Sequence, residues 1–279
     1  MSLAGARRRE GGCGRWLAVL AALVPTSAPA AGAACLAPWL ALDAGVEESR
    51  WQETGSKGRR LVSERGTLRG VSLSLGMRCD GFDGLVRVLR ASGSRDYDGV
   101  TSANAPIRTR SDVEQSGVEL QGFVPLGANW SGAGRTALRR TDREIIGVGR
   151  VQGYSERFIN ADLAVGARFA MAPGAAWSWA ALAWLGVGPP GRLDLRLPGT
   201  DSAALRLGAS RSLEFELQAK GALAAPGWQW QARLVHRREE WRAGEPQVIT
   251  RQGVPVAGAV QPATRQSAWR LQAGLRFDF

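Results

Sequence analysis

Histidine occurs once in the 279 residues, at His236, and lysine only twice, at Lys57 and Lys220. A single imidazole argues against a zinc site and leaves one candidate for a general base. Neither lysine is followed by Ser or Thr, so the usual phosphate-binding loop is missing. Past the N-terminal leader no run approaches the roughly 18 apolar residues that a spanning helix needs, which excludes an inner-membrane helical protein. Cysteine is confined to Cys13, Cys35 and Cys79. No cofactor is implied by any of these patterns.

What is plentiful is glycine, with 36 residues, tryptophan, with 11, and arginine. The formal charge is +11. Arg7, Arg8, Arg9 and Arg15 against Glu10 supply part of it from the extreme N-terminus. The other arginines are scattered and form no helical stripe, so a nucleic-acid partner is not expected.

The N-terminus reads as a secretory signal peptide over residues 1–33: a basic start, an apolar run from Trp16 to Val24, and small residues offering cleavage sites. Export puts Cys35 and Cys79 where disulfides persist, and they are a candidate pair stapling the N-terminal tail to the first turn. The competing reading of Cys35 as a lipid-acylation site wants an aliphatic residue three positions earlier, where Gly32 stands.

The rest of the chain alternates. Trp269, Leu271, Ala273, Leu275, Phe277 and Phe279 face one way, and Arg270, Gln272, Gly274, Arg276 and Asp278 the other, a period of two. Similar alternation marks 40–51, 71–79, 117–124, 159–169 and 228–234; segments at 85–95, 130–140, 177 onward and 205–220 complete ten strands. Arg192–Leu197 also alternates, which leaves twelve strands as the alternative. Connections at 80–84, 125–129, 172–175 and 224–227 are short and rich in Gly, Pro and Asp, whereas the others are long. Trp39, Trp130, Trp177, Trp179, Trp228 and Trp230 stand at strand starts beside the short turns, as an interfacial girdle would require.

A closing strand that carries Phe277 and Phe279 at its terminus, with this turn asymmetry and these girdles, resembles the small Gram-negative outer-membrane β-barrels. The resemblance implies an all-β, antiparallel, up-and-down transmembrane barrel over 40–279, with residues 34–39 as a short periplasmic tail and the short turns on the periplasmic side. It implies outer-membrane lipid and lipopolysaccharide as surroundings, and Phe277 and Phe279 as the signal read by the barrel-assembly machinery. Oligomeric state is left open.

Strand parity sends Asp43, Glu47, Glu119, Asp162, Glu214 and Glu216 inward with Arg78, Arg168, Arg206, Arg233, Arg270 and Arg276. A ten-stranded barrel is narrow enough for such side chains to fill it as an ion-paired core. The role expected is structural or surface-binding; a narrow pore and a lipid- or peptide-hydrolysing enzyme are the alternatives. Omptin-type proteases, with ten strands, need a histidine with acidic partners near the outer rim, and lipid hydrolases of this membrane use histidine with serine. His236, the weak catalytic candidate, falls by parity on the lipid face. Arg139, Arg140, Arg143, Arg237, Arg238 and Arg242 are read as outer-rim residues suited to lipopolysaccharide phosphates. Asp96-Tyr97-Asp98-Gly99 is read as part of a long loop.

Overall fold

The computed structural model describes residues 35–101, 105–171 and 177–279; the expected signal peptide and the 172–175 turn lie outside them. Fourteen strands run β1 (Cys35–Thr54), β2 (Arg60–Cys79), β3 (Phe82–Val100), β4 (Pro106–Pro125), β5 (Trp130–Ile145), β6 (Tyr154–Ala170), β7 (Trp177–Gly188), β8 (Arg192–Arg196), β9 (Ala203–Arg206), β10 (Ser210–Ala222), β11 (Trp228–Trp241), β12 (Gln247–Arg251), β13 (Val254–Ala259) and β14 (Ala263–Asp278). Each ring strand pairs antiparallel with its neighbours, and β14 returns to pair with β1 from Trp39↔Asp278 to Thr54↔Ala263. The sheet therefore closes as a ten-stranded ring of β1–β7, β10, β11 and β14, which leaves it no free edge.

Outside the ring, β8 pairs with the upper end of β6 and β9 pairs with β8, while β12 and β13 form a separate hairpin. This settles the count of ten against twelve, and Arg192–Leu197 becomes part of an appended hairpin. Residues 35–39, expected as a tail, already belong to β1.

The polarity is inverted relative to a soluble sheet protein. Large apolar side chains stand exposed on the outer wall, among them Leu42 at 59%, Leu163 at 60%, Leu185 at 64% and Leu271 at 55%, while Glu47, Glu119, Asp162 and Arg135 are buried. From Trp269 to Phe279, at about 3.3 Å per residue and a tilt near 40°, the apolar belt is about 25 Å tall, the height of a bilayer's hydrocarbon core. β1, β2 and β4 are 20 residues long, about twice a span. Their upper halves therefore project beyond the belt, and outward charge begins there, as at Glu48, Arg65 and Glu114.

This projection corrects the expected loops. Residues 96–99 are part of β3, with Tyr97 buried, and β1–β2 are joined by 55–59 only. Polar strand extensions still satisfy one another's backbone groups, so length that reads as loop is ladder. At the opposite end the connections are tight; β2 turns into β3 through Asp80-Gly81, with Gly81 at φ 79°.

Candidate functional site

Because every second residue of a ring strand faces inward, the interior is a stack of tiers. The middle tier sets Asp43, Glu47, Glu119, Asp162, Glu214, Glu216 and Glu239 against Arg87, Arg135, Arg139, Arg233, Arg237 and Arg270, with Asp43 held by Ser72 at 3.2 Å and Gln231 at 2.5 Å. Arg139 links Glu119, at 3.0 Å, to Asp162. Arg135 meets Glu214 at 2.5 Å and Arg237 meets Glu239 at 2.8 Å. Arg270 holds Glu47 at 2.5 Å. Pairing is what makes burial of these charges tolerable, since an uncompensated ion in a low-dielectric interior costs several kcal/mol. A cavity of about 60 Å³ remains within this tier, room for a few waters.

Above the belt lies a second ionic group. Arg143 donates to Glu156 at 2.7 Å, Glu53 at 2.9 Å and Glu64 at 3.0 Å, and Arg95 sits 3.7 Å from Glu64. Three carboxylates thus share two guanidinium groups. Burial pushes the Glu156 carboxyl up to about 7; Arg143 opposes the shift, and Glu53 adds to it.

The guanidinium of Arg143 also lies 4.9 Å over the Trp51 ring, and Trp51 packs edge-on against Phe158 and Trp241. Leu193 and Leu195 of β8, Leu205 and Leu207 around β9, and Ile249 of β12 complete a buried apolar cap with these rings. Two hairpins that lie outside the ring thereby close its upper mouth with a hydrophobic core.

The lower tier is different in sign. Arg78, Arg168, Lys220 and Arg276 gather at the short-turn end, with Asp83 and Asp278 as their ion-pair partners among the described residues. Beside them, on the β4–β7 side of the lumen, Phe123, Leu182 and Trp184 make an apolar cluster.

The outer wall bears one dense charged group above the belt. Glu240 accepts from Arg211, at 2.7 Å, Arg238, at 2.8 Å, and Arg265, at 2.9 Å, while the His236 and Trp269 rings lie below it with centroids 4.3 Å apart.

No known protein family and no curated protein matches the chain by sequence. Among solved structures, the outer-membrane protease OmpT of Escherichia coli superposes with a TM-score of 0.54 at 8% identity, over 87% of this chain and 97% of that one. The β domain of the Bordetella autotransporter BrkA gives 0.44 at 15% identity, over 86% and 99% of the two chains. Neisserial surface protein A gives 0.37 at 11%, over 88% and 99%. The chain has the fold of the small Gram-negative outer-membrane β-barrels.

Within this outer-membrane-type barrel, most of the acids and arginines read as luminal do face inward, and three corrections stand out. Arg206 is not luminal: it lies on β9 outside the ring and meets Glu245 at 3.5 Å in the open. The strand breaks after Arg206, β9 pairs with β8 alone, and Leu205 and Leu207 turn into the cap instead of toward lipid. Trp39 faces the lumen, not the lipid interface. Its ring lies under the Arg276 guanidinium at 4.2 Å and over Gly76, where any Cβ would come within 2.3 Å of the indole. Arg139, Arg143 and Arg237, read as rim residues, are interior ion-pair donors.

Trp130, Trp177 and Trp228 are exposed on the outer wall at the short-turn end, with Trp179 and Trp230 beside them. Phe277 packs on Trp228 at 5.2 Å and edge-on to Phe279 at 5.1 Å. His236 points outward, and its Nδ1 has no hydrogen-bond partner among the described residues. The register sets Cys35 opposite Cys79, and Cys79 is disulfide-bonded.

Interior residues that the sequence reading missed are Arg87, Arg95, Arg135 and the acids Glu53, Glu64, Glu156 and Glu239. For Arg87 a signal existed, since it lies between Val86 and Val88.

Proposed function

We propose that the protein is a non-conducting barrel of the outer membrane with a structural and surface-binding role, and that its outward arginines meet the phosphates of lipopolysaccharide. The observation that carries this reading is the interior: an ion-paired middle tier fills the lumen beneath the apolar cap around Trp51 and Trp241. By this reading the packed charges and the cap leave no continuous water path. By the same reading the short turns face the periplasm, and Phe277 and Phe279 serve the assembly machinery from that side.

The surface part rests on Glu240 and its three arginines. Their net charge of +2 sits above the belt, at headgroup height, and guanidinium geometry suits phosphate oxygens bidentately. Substituting Arg211, Arg238 and Arg265 together with Gln tests it. Affinity for lipopolysaccharide, titrated onto the folded protein in detergent, is expected to fall about tenfold or more, since each hydrogen bond to a charged group contributes about 1.5–3 kcal/mol. Unchanged affinity in the triple variant overturns the surface assignment.

A narrow pore is the second reading, and the cavity of about 60 Å³ in the middle tier is what favours it. The proteolysis named for OmpT rests here on His236 alone, and that ring lies on the outer wall against Trp269.

A further inference from the structure

The lower tier carries a charge imbalance that neither the filled lumen nor the outer surface accounts for. Arg78 and Arg168 share Asp83, at 3.3 and 3.7 Å, and Arg276 takes Asp278 at 2.6 Å. Lys220 is close enough to Arg276, Arg78 and Arg168 to feel their repulsion, and no carboxylate pairs with it among the described residues. Four cations therefore share two ion-paired carboxylates among the described residues, an excess of +2 in a partly buried mouth. Asp278 is further engaged by Gln229 at 2.6 Å; of the acids above, Asp43 is taken by Gln231 at 2.5 Å and Ser72 at 3.2 Å, and Glu216 by Arg233 at 3.3 Å and Gln218 at 2.8 Å. None of these acids is free to neutralise the cluster.

The cluster is also held in place. The Arg276 guanidinium stacks on Trp39 at 4.2 Å and that of Arg168 on Phe123 at 5.3 Å, so two of the four cations are fixed by ring faces as well as by carboxylates. Arg168 Nε is buried and makes no hydrogen bond among the described residues. Repelling cations kept together by aromatic supports, with a donor left over, form a preorganised anion site: an incoming oxyanion relieves the repulsion and takes the idle N–H.

We propose that the short-turn mouth of the barrel binds a phosphate dianion, free or as a phosphomonoester, from the solution on that side. The excess of +2 matches the phosphate dianion, the main form of a phosphomonoester near neutral pH and about half of free phosphate there. Phe123, Leu182 and Trp184 wall the site on one side and the ion-paired middle tier lies above it, so the anion is held and not passed on.

The test is calorimetric titration of inorganic phosphate into the whole folded protein in phosphatidylcholine nanodiscs, whose headgroups carry no net charge. One saturable site is expected, weakening as salt rises. Lys220→Gln and Arg168→Gln are each expected to weaken it about tenfold, whereas Arg265→Gln, on the outer wall, should not. Both luminal substitutions relieve like-charge repulsion, so folding is preserved, and heat-modifiable gel mobility verifies it. No saturable binding, or undiminished binding in Lys220→Gln and Arg168→Gln, overturns the site.

Discussion

Arg143 shows how much a single side chain carries here. It is buried, holds Glu53, Glu64 and Glu156 together and lies over Trp51. Replacing it with Met strands three carboxylates under the cap, with Arg95 their nearest remaining cation, so a loss of about 3–5 kcal/mol is expected. A lowered urea midpoint of the detergent-solubilised protein would register it.

Glu156 adds a pH signature. Its folded pKa is raised to about 7 from an unfolded value near 4.3, so the folded form grips the proton more tightly. Its contribution is full below the unfolded value and is lost as pH rises through about 7. The wild-type urea midpoint should therefore fall between pH 5 and pH 8 more steeply than that of Glu156→Gln. Parallel slopes in the two proteins would remove Glu156 from the explanation.

Among the elements, the β12–β13 hairpin is the one whose position depends on a few polar contacts. Gln252 and Gly253 occupy its tip with φ of 53° and 79°, a two-residue turn matched to strand twist. The Asp201 carboxylate accepts from Gly253 N at 3.0 Å, Gln252 N at 3.2 Å and Thr250 Oγ1 at 2.7 Å, tying the tip to the β8–β9 turn. The Gly253 amide leads in holding the Asp201 pKa below the ordinary carboxylate value, so the latch is present above that value and released as pH falls through the lowered one. Asp201→Ala should raise amide exchange across 247–259 and leave the ring strands protected; unchanged exchange would mean that apolar contact through Ile249 holds the hairpin alone.

The ring strands answer to a different solvent. Leu217, exposed at 54% on the outer wall of β10, should lose about 2–4 kcal/mol on replacement by Arg if it meets acyl chains near the bilayer midplane, whereas an exposed leucine on a water-soluble sheet tolerates that change. Refolding stability in lipid vesicles reads the difference.

How far such strands were legible depended on contrast. In β6 and β14 every outward residue of 159–169 and 269–279 is apolar or aromatic against polar or small inward neighbours, and parity alone assigns both faces. In β5 the outward Gly132, Gly134 and Thr136 oppose Ala133, Arg135 and Ala137, then Arg139 and Arg143 alternate with Arg140 and Asp142. Small against small, and charge against charge, leave no amphipathic signal. That strand nevertheless supplies three of the interior arginines, at a spacing of four along one face. Above the belt both faces of a strand are polar, which is why 96–99 read as loop. Parity failed at Arg206 because a break in the strand resets the phase.

At the scale of the whole molecule the fold was readable because a bilayer imposes one rule on every strand at once: greasy outward, polar inward, closed edge. What the interior does with its polar groups was not readable, since ion pairs join residues as far apart in sequence as Glu47 and Arg270 or Glu53 and Arg143. The tiers also differ in net charge: negative under the cap, densely ion-paired at mid-height and positive at the short-turn mouth. An open conduit would need these opposed ends joined by water, and the paired middle tier and the apolar cap interrupt it. Single-channel recording of the folded protein in a planar bilayer tests this most directly: a membrane that stays silent after insertion is the expected result, and discrete, reproducible conductance steps would show a continuous aqueous path and overturn the filled-lumen account.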